Sequence, residues 1–279
     1  MNHISEFSKQ KELAERFHAL HHAADMLLLI NAWDCTSAKI LELEGFHAVA
    51  TSSAGMAWSL GYQDGEKIPP QEVINCTKRI TAVVKIPVSV DIEGGYFRDD
   101  VNMFSNFIAQ LVDAGAVGIN LEDGYSHSEK LNEIDKQMAF INAAKEAGAK
   151  KGVQFFVNAR TDAMLLKANL EIKIQHSIER ATAFAAAGAD GIFIPFIRDM
   201  ETVATLKSEI KLPLNILLTD TLNINKLKEL KVNRVSTGSR PMMAMLKSFR
   251  EMVSKIKTEK NMSPLFTSEI SYNEINNWF

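Results

Sequence analysis

The sequence predicts an α/β protein, a single (β/α)8 barrel of the TIM type, and three observations lead there. One grammar repeats along the chain: an apolar run rich in β-formers, a polar strand end, an amphipathic helical stretch and a glycine-containing return. Eight such units fit within 279 residues, a length that α/β barrels reach as one domain, and an apolar content of 46% is ample for a core. The ends of the apolar runs are unusually polar, as they are where a barrel gathers its chemistry at one mouth. Parallel neighbours require crossover connections, so the alternation implies a parallel sheet, and eight units suggest closure. An open doubly wound sheet is the alternative, but the first turn lacks a glycine-rich dinucleotide fingerprint.

The elements follow in order. Residues 5–24 have Phe7, Leu13, Phe17 and Leu20 at helical spacing, which predicts an opening helix over one end of the core. His18, His21 and His22 lie on or near it; a metal site is one reading, surface groups the simpler one. Residues 26–30 form a buried strand running into Asn31-Ala-Trp-Asp34, and Thr36 or Ser37 caps a helix through Leu43. The strand at 48–51 ends in Ser52-Ser53-Ala54-Gly55, and a helix follows over 69–84. The third strand, 87–93, precedes a helix over 100–114 that stops at Gly115. Residues 117–121 lead into Glu122-Asp123, with a helix over 132–147 ending at Gly148. Residues 153–157 lead into Asn158-Ala-Arg160-Thr-Asp162, and a long helix over 170–187 ends at Gly188. The last three strands, 191–194, 213–217 and 234–237, run into Pro195, Thr219-Asp220 and Gly238-Ser239.

The third strand is the pivot of the functional argument. Val88 and Val90 are β-formers between Pro87 and the Gly94-Gly95 pair, and the run ends in Asp91 and Glu93. In an extended chain these two carboxylates point to the same side, where their repulsion invites a divalent cation. Asp34, Ser52, Ser53, Glu122, Asp123, Asn158, Arg160, Asp162 and Asn215 mark the other strand ends, and Arg160 is a single conspicuous cation among acids.

Composition excludes several classes. With 31 basic and 34 acidic residues and no basic block, nothing favours nucleic acid or an anionic membrane. Cys35 and Cys76 are too few for a disulfide framework, which fits a reducing cytosol. Residues 1–20 lack the apolar core of a signal peptide, and no apolar stretch is long enough to span a bilayer, so a cytoplasmic protein is expected. Residues 241–279 continue as a helix to about Lys257 and an aromatic tail with Phe266, Tyr272, Trp278 and Phe279. Aromatics with no domain left to cover imply packing on this barrel or, in the preferred reading, on another subunit.

Asp91, Glu93 and Glu122, with Asp64 in the loop after the second strand, make an oxygen-rich set suited to Mg²⁺ or Mn²⁺. Such an ion beside Arg160 suits a small anion that chelates through a carboxylate and an adjacent oxo oxygen.

Over 31–246 the chain resembles the isocitrate lyase/phosphoenolpyruvate mutase superfamily. The resemblance rests on Asn-Ala-Trp-Asp34, Thr-Ser52-Ser53-Ala-Gly, Gly61-Tyr-Gln-Asp64, Val-Asp91-Ile-Glu93-Gly-Gly-Tyr96, Asn-Leu-Glu122-Asp123, Asn-Ala-Arg160-Thr-Asp162, Gly-Ala-Asp190-Gly-Ile-Phe-Ile-Pro195 and Arg-Val-Ser-Thr-Gly238, taken in order. It implies a Mg²⁺-dependent barrel handling 2-oxo acids through enolpyruvate-like intermediates, with C-terminal helices exchanged in a dimer or tetramer. By resemblance, Asp91 is the principal metal ligand, with Asp64, Glu93 and Glu122 as metal or metal-water partners. Ser52, Ser53 and Ala54 match a loop that holds the substrate carboxylate or oxo group, and Arg160 matches the arginine on the substrate anion. Asn215 and Pro195 fall at ends that line the same pocket. A structural ion pair of Arg160 with Asp162 or Glu122 is the plainer reading of that residue.

The departures bear on the reaction. Lyase members carry a Lys-Lys/Arg-Cys-Gly run after the fourth strand, whereas residues 124–133 here have no Cys, and Cys35 reads as a buried small hydrophobe. Lys130 and Asn132 are offered as equivalents of phosphonate-processing residues, though their flanks do not match. His127 and Tyr125 are candidate proton donors on loop closure, or plain surface residues. Glu93 stands where mutase and hydrolase members have Asp. The expected activity is therefore Mg²⁺-dependent cleavage of a C–C or C–P bond in a small 2-oxo acid, with Arg160, Glu122 and Asp64 as catalytic groups. Phosphonopyruvate mutase or hydrolase chemistry, and binding without turnover, are the alternatives. A Schiff-base aldolase is disfavoured because no strand end carries Lys.

Overall fold

Every apolar run becomes a parallel strand, but the first is broken in two. The computed structural model of the protein describes residues 2–125, 129–266 and 270–279, with backbone alone over 2–7. Its elements are α1 (Asn2–His21), β1 (Leu27–Leu29), β2 (Asn31–Ala32), α2 (Cys35–Leu43), β3 (Val49–Thr51), α3 (Ser53–Ser59), α4 (Pro70–Val83), β4 (Val88–Asp91), α5 (Val101–Asp113) and β5 (Gly118–Glu122). They continue as α6 (Ile134–Lys150), β6 (Phe156–Arg160), α7 (Leu170–Ala186), β7 (Gly191–Ile194), α8 (Met200–Glu209), β8 (Leu214–Leu217), α9 (Ile224–Glu229), β9 (Arg234–Ser236), α10 (Arg240–Glu259) and α11 (Tyr272–Asn276). The strand order is β1-β9-β8-β7-β6-β5-β4-β3-β2, every pair parallel. β1 pairs with β9 and β2 with β3, so the chain itself carries the barrel across Ile30 and eight staves close the ring.

Local chemistry explains where elements begin and end. Asp34 caps α2: its Oδ1 accepts the Ser37 amide at 2.7 Å, and Ser37 Oγ accepts the Asp34 amide at 3.1 Å. The cap is thus two or three residues earlier than the Thr36 or Ser37 the sequence suggested. Ser52 likewise caps α3, a helix unanticipated after the second strand, by accepting the Gly55 amide at 3.2 Å. Gly148 does not end α6. It lies within the helix, where an added Cβ would stand 2.3 Å from Phe155 Cβ, and the chain turns instead at Gly152 with φ +68°. The sixth strand consequently starts at Phe156 rather than 153.

Between strands and helices the packing is apolar. Phe104, Phe107, Phe156 and Phe184 are buried, and Phe104 meets Phe140 with ring centroids 4.7 Å apart. Truncating such a ring to Ala costs about 3–5 kcal/mol. Inside the barrel the layer is polar. Fully buried Arg234 donates from Nη2 to Asn120 Oδ1 at 3.1 Å, and Asn158 Nδ2 donates to the same oxygen at 2.8 Å.

As expected, α1 covers one end of the core. Gln10 Nε2 donates to the Val112 and Ala116 carbonyls at 2.7 and 2.9 Å, on the N-terminal side of the strands. His21 is not a surface group: it is 1% exposed and stacks on Phe156 at 4.0 Å. At the other end of the chain Met242 is the one buried residue of α10 among those described. No described helix is long and apolar enough to cross a membrane.

Candidate active site

The C-terminal ends of the strands surround a cavity of about 430 Å³ lined by Ser53, Asp64, Glu93, Glu122, Tyr125, Glu129, Arg160, Asp162, Leu165 and Phe196. β5 and β6 pair so that Glu122 lies directly opposite Arg160, which fixes the acid and the guanidinium side by side. Arg160 Nη1 is 2.7 Å from Glu122 Oε2, while Nε and Nη2 donate to the two oxygens of Asp162 at 2.7 and 3.0 Å. Both readings of Arg160 therefore meet in one place: it is ion-paired, and it faces the cavity. Burial pushes the Glu122 carboxyl well above the usual range; Arg160 opposes this, and Asp162, Asp91 and Glu93 add to it.

Asp91 closes β4, and its Oδ2 accepts the Ser53 hydroxyl at 2.8 Å and the Ser53 amide at 3.2 Å. Glu93 lies beyond the strand with φ +52°, so the turn after Asp91, and not strand alternation, brings the two acids together. Glu93 is 4% exposed; its Oε2 accepts the Glu66 amide at 2.8 Å, and its Oε1 is buried without a hydrogen-bond partner. Burial, with the Asp64, Asp91 and Glu66 carboxylates adding and the Glu66 N–H opposing, pushes its pKa up to about 7.

Glu66 joins two loops of the mouth. Its carboxylate accepts the Tyr96 amide at 2.8 Å and Arg98 Nε at 3.0 Å. Glu66, Glu93 and Tyr96 all have positive φ, a concentration of backbone strain beside the cavity. The Arg98 guanidinium in turn lies 4.4 Å from the centre of the Tyr125 ring, and Lys130 Nζ is 5.1 Å from it.

Several expected residues stand elsewhere. Ser52 is spent on its helix cap, Ala54 is buried within α3, and neither lines the cavity. Asn215 is 1% exposed inside the barrel, with Oδ1 accepting from Ser236 Oγ at 3.2 Å. It is the second residue of β8, below the mouth, where sequence reasoning took it for a strand end. Pro195 is buried, and its successor Phe196 lines the wall instead. Asn132 turns inward onto Gln137 at 2.9 Å. His127 lies outside the described residues. Cys35 is half-buried, where the sequence reading had it buried, and burial with the Asp34 charge raises its thiol. Asp123, fully buried, holds the Asp162 amide at 2.9 Å and Arg180 at 3.0 Å, a structural role that positions Asp162. Leu165 and Phe196 were missed because apolar residues in loops carry no motif.

Among the described residues no three acidic, His or Cys groups converge as a ready cage for a metal ion. The donor set still fits Mg²⁺, which keeps several waters and needs only one or two carboxylates. Buried, unpartnered Glu93 Oε1 amid like charges is the kind of atom that a cation or its water satisfies.

The family model for phosphoenolpyruvate phosphomutase matches residues 17–257. An uncharacterized protein of Mycobacterium tuberculosis is 40% identical over 231 residues, covering 82% of this chain and 84% of that protein. A Burkholderia cenocepacia protein crystallised as a candidate phosphonomutase is 34% identical with a TM-score of 0.83, over 88% of this chain and 99% of that one. A phosphonopyruvate hydrolase in complex with oxalate and Mg²⁺ shares the fold at 23% identity, with a TM-score of 0.84 over 95% of this chain and 94% of the other. With the motifs in order around one barrel mouth, the chain belongs to the phosphoenolpyruvate phosphomutase family, within the isocitrate lyase/phosphoenolpyruvate mutase superfamily of lyase- and mutase-type enzymes.

Proposed function

We propose that this enzyme is a Mg²⁺-dependent lyase that cleaves a C–C bond in a small 2-oxo acid, with C–P cleavage as the variant chemistry. The observation that carries the reading is Glu93: a buried carboxyl with an unpartnered oxygen, its pKa pushed up to about 7 by burial and neighbouring acids, at the edge of a cavity that also contains Arg160. Asp91 would hold the ion, with Asp64, Glu93 and Glu122 bound directly or through water. When bound, the ion supplies positive charge next to the oxo oxygen, where an enolate develops. Ser53 orients Asp91 through two hydrogen bonds. Arg160 binds the substrate carboxylate, and Glu122 and Asp162 fix its plane. The proton donor lies in the loop over 124–133, where the Tyr125 ring lines the cavity.

Phosphonopyruvate or phosphoenolpyruvate mutase chemistry is the second reading, favoured by the family model. The preferred assembly is a homo-oligomer, dimer or tetramer, in which α10 packs on or exchanges with a neighbour. Two free thiols, Cys35 and Cys76, suit the cytosol.

The test is calorimetry with oxalate, a mimic of the enolate, with and without Mg²⁺. Oxalate binding should require Mg²⁺ and disappear in Asp91→Ala; unchanged affinity in that variant removes the metal site. Pyruvate release from oxaloacetate, phosphonopyruvate, methylisocitrate and 4-hydroxy-2-oxo acids then names the leaving group. Tight oxalate binding with no turnover across that panel favours a binding protein, or a lyase whose substrate lies outside the panel.

A further inference from the structure

The cavity has two unlike halves. Its more buried, inner lining is charged, with Glu93 and Glu122 only 4 and 6% exposed beside Asp64 and Arg160, and its more exposed, outer lining carries Tyr125, Leu165 and Phe196. Leu165 and Phe196 are each 40% exposed, so both present apolar surface to whatever occupies the cavity. Phe196 also sits at φ +66°, a conformation that bulky residues rarely adopt and that strained functional positions often do. Its backbone holds the ring at the mouth directly after β7, with the Arg160 guanidinium 5.7 Å from the ring centre.

The charges around this outer half are committed. Arg160, the one cation lining the cavity among the described residues, is shared between Glu122 and Asp162. Arg98 is paired through Nε with Glu66 and packs on the Tyr125 ring, and its two Nη atoms, buried without hydrogen-bond partners, are not part of the cavity lining. Lys130 also lies over that ring, and Lys167 pairs with Glu129 at 2.9 Å. Asn132, an amide that a phosphonate could use, faces Gln137 in the interior. Glu129 adds a carboxylate to the lining. A phosphonate or second carboxylate reaching the outer half would lose water and meet aromatic and aliphatic surface beside an acid. An alkyl or aryl group there would cover Leu165 and Phe196 and gain by it.

We infer that the substrate is a 4-hydroxy-2-oxo acid whose substituent on C4 is uncharged and apolar, and that Phe196 and Leu165 select it. Breaking the C3–C4 bond leaves the electron pair on the 2-oxo fragment as the enolate, while C4 departs as an aldehyde and its hydroxyl proton passes to a carboxylate of the cavity. This rests on the proposed function, which places the 2-oxo carboxylate in the charged half. The test uses N-substituted oxamates, which keep one carboxylate and an adjacent carbonyl and vary only the distal group. N-isobutyloxamate and N-oxalylglycine are close in shape and differ in charge. Each is titrated as a competitor of oxalate in the presence of Mg²⁺.

N-isobutyloxamate should bind at least tenfold more tightly than N-oxalylglycine. Phe196→Ser should reduce the ratio to about threefold or less, with oxalate binding as the check that the inner half is folded; Leu165→Ser serves the same purpose should that variant fail to fold. N-oxalylglycine binding as tightly as N-isobutyloxamate, or more tightly, overturns the inference while leaving the proposed function intact. An unchanged ratio in both variants overturns the assignment to these two residues. Failure of oxalate itself to bind removes the proposed function and this inference with it.

Discussion

Arg160 and Glu122 stand directly opposite in adjacent strands, with Nη1 and Oε2 2.7 Å apart and the Glu122 side chain 7% exposed. The pair is both a piece of the wall and the anion-facing part of the cavity. Removing one member leaves the other buried without a counter-charge, a loss of about 3–5 kcal/mol for well-buried pairs. Arg160→Met should therefore lower stability to urea by about 3 kcal/mol and weaken oxalate at least tenfold. Arg160→Lys should fall between, since it keeps the charge and loses the two-oxygen contact with Asp162. Wild-type unfolding in the methionine variant would show that the pair contributes nothing.

A second prediction concerns Glu66 and Gly94. A Cβ on Gly94 would lie 1.8 Å from Arg98 Nη2, so Gly94→Ala must expel a flexible side chain. The expelled arginine leaves Glu66 and Tyr125. Gly94→Ala and Glu66→Ala should each increase proteolytic cutting in the loop around residue 66, and the double variant should be no worse than either alone. Additive effects would mean that the two act through separate contacts.

His21 makes stability depend on pH. Burial, with Arg234 adding, holds its pKa well below 6.5, and its Nδ1 is 2.7 Å from the Phe17 carbonyl. Below pH 6.5 the unfolded chain takes up a proton that the folded chain refuses, so stability falls as pH drops. The slope reaches at most about 1.4 kcal/mol per pH unit from this group. Replacing His21 by Leu should cost stability at pH 8 and progressively less toward pH 5. Parallel curves for the two proteins, from urea melts across that range, would contradict the assignment.

The last prediction is about assembly. Along α10, Leu246, Phe249 and Val253 repeat at helical spacing and are 42, 59 and 46% exposed. Such a stripe calls for a cover. Phe249→Glu and Val253→Glu should shift the sedimentation coefficient to a smaller species. A wild-type protein that already sediments as a monomer at micromolar concentration would sink the proposed oligomer.

Much of this fold could be read from period and punctuation. Gly191–Ile194 begins and ends where the apolar run does, and α5 starts at an Asp100 cap, because strand ends and caps are set by neighbours in sequence. Interior glycine was less legible. Gly148 reads as a stop, yet contact with Phe155 makes it a packing residue, a fact that lives in tertiary structure. The same divide runs through the site. Glu93, Glu122 and Arg160 were visible as polar groups at or just beyond strand ends, Asp64 as an acid in the loop after the second strand, and all line the cavity. Asn215 looked equivalent but lies two residues short of the end of β8, and a shift of that size moves a side chain from mouth to interior. Ser52 differs in another way: a hydroxyl before a helix can cap or bind, and here it caps the unforeseen α3.

The docking of α1 reaches beyond the static barrel to how it must be made. The side chains of Gln10 and His18 find their partners at Val112, Ala116 and Gln154, the His21 carbonyl accepts from Asn233 Nδ2, and β1 finds its neighbour only at Arg234. α1 is thus made well before the later strands and loops that form its seat. Closure is the most sequence-distant event available to this protein and should be among its slowest. Until then the β1 edge and the inner face of α1 stay open to other chains, so the partly made barrel is the state most exposed to aggregation.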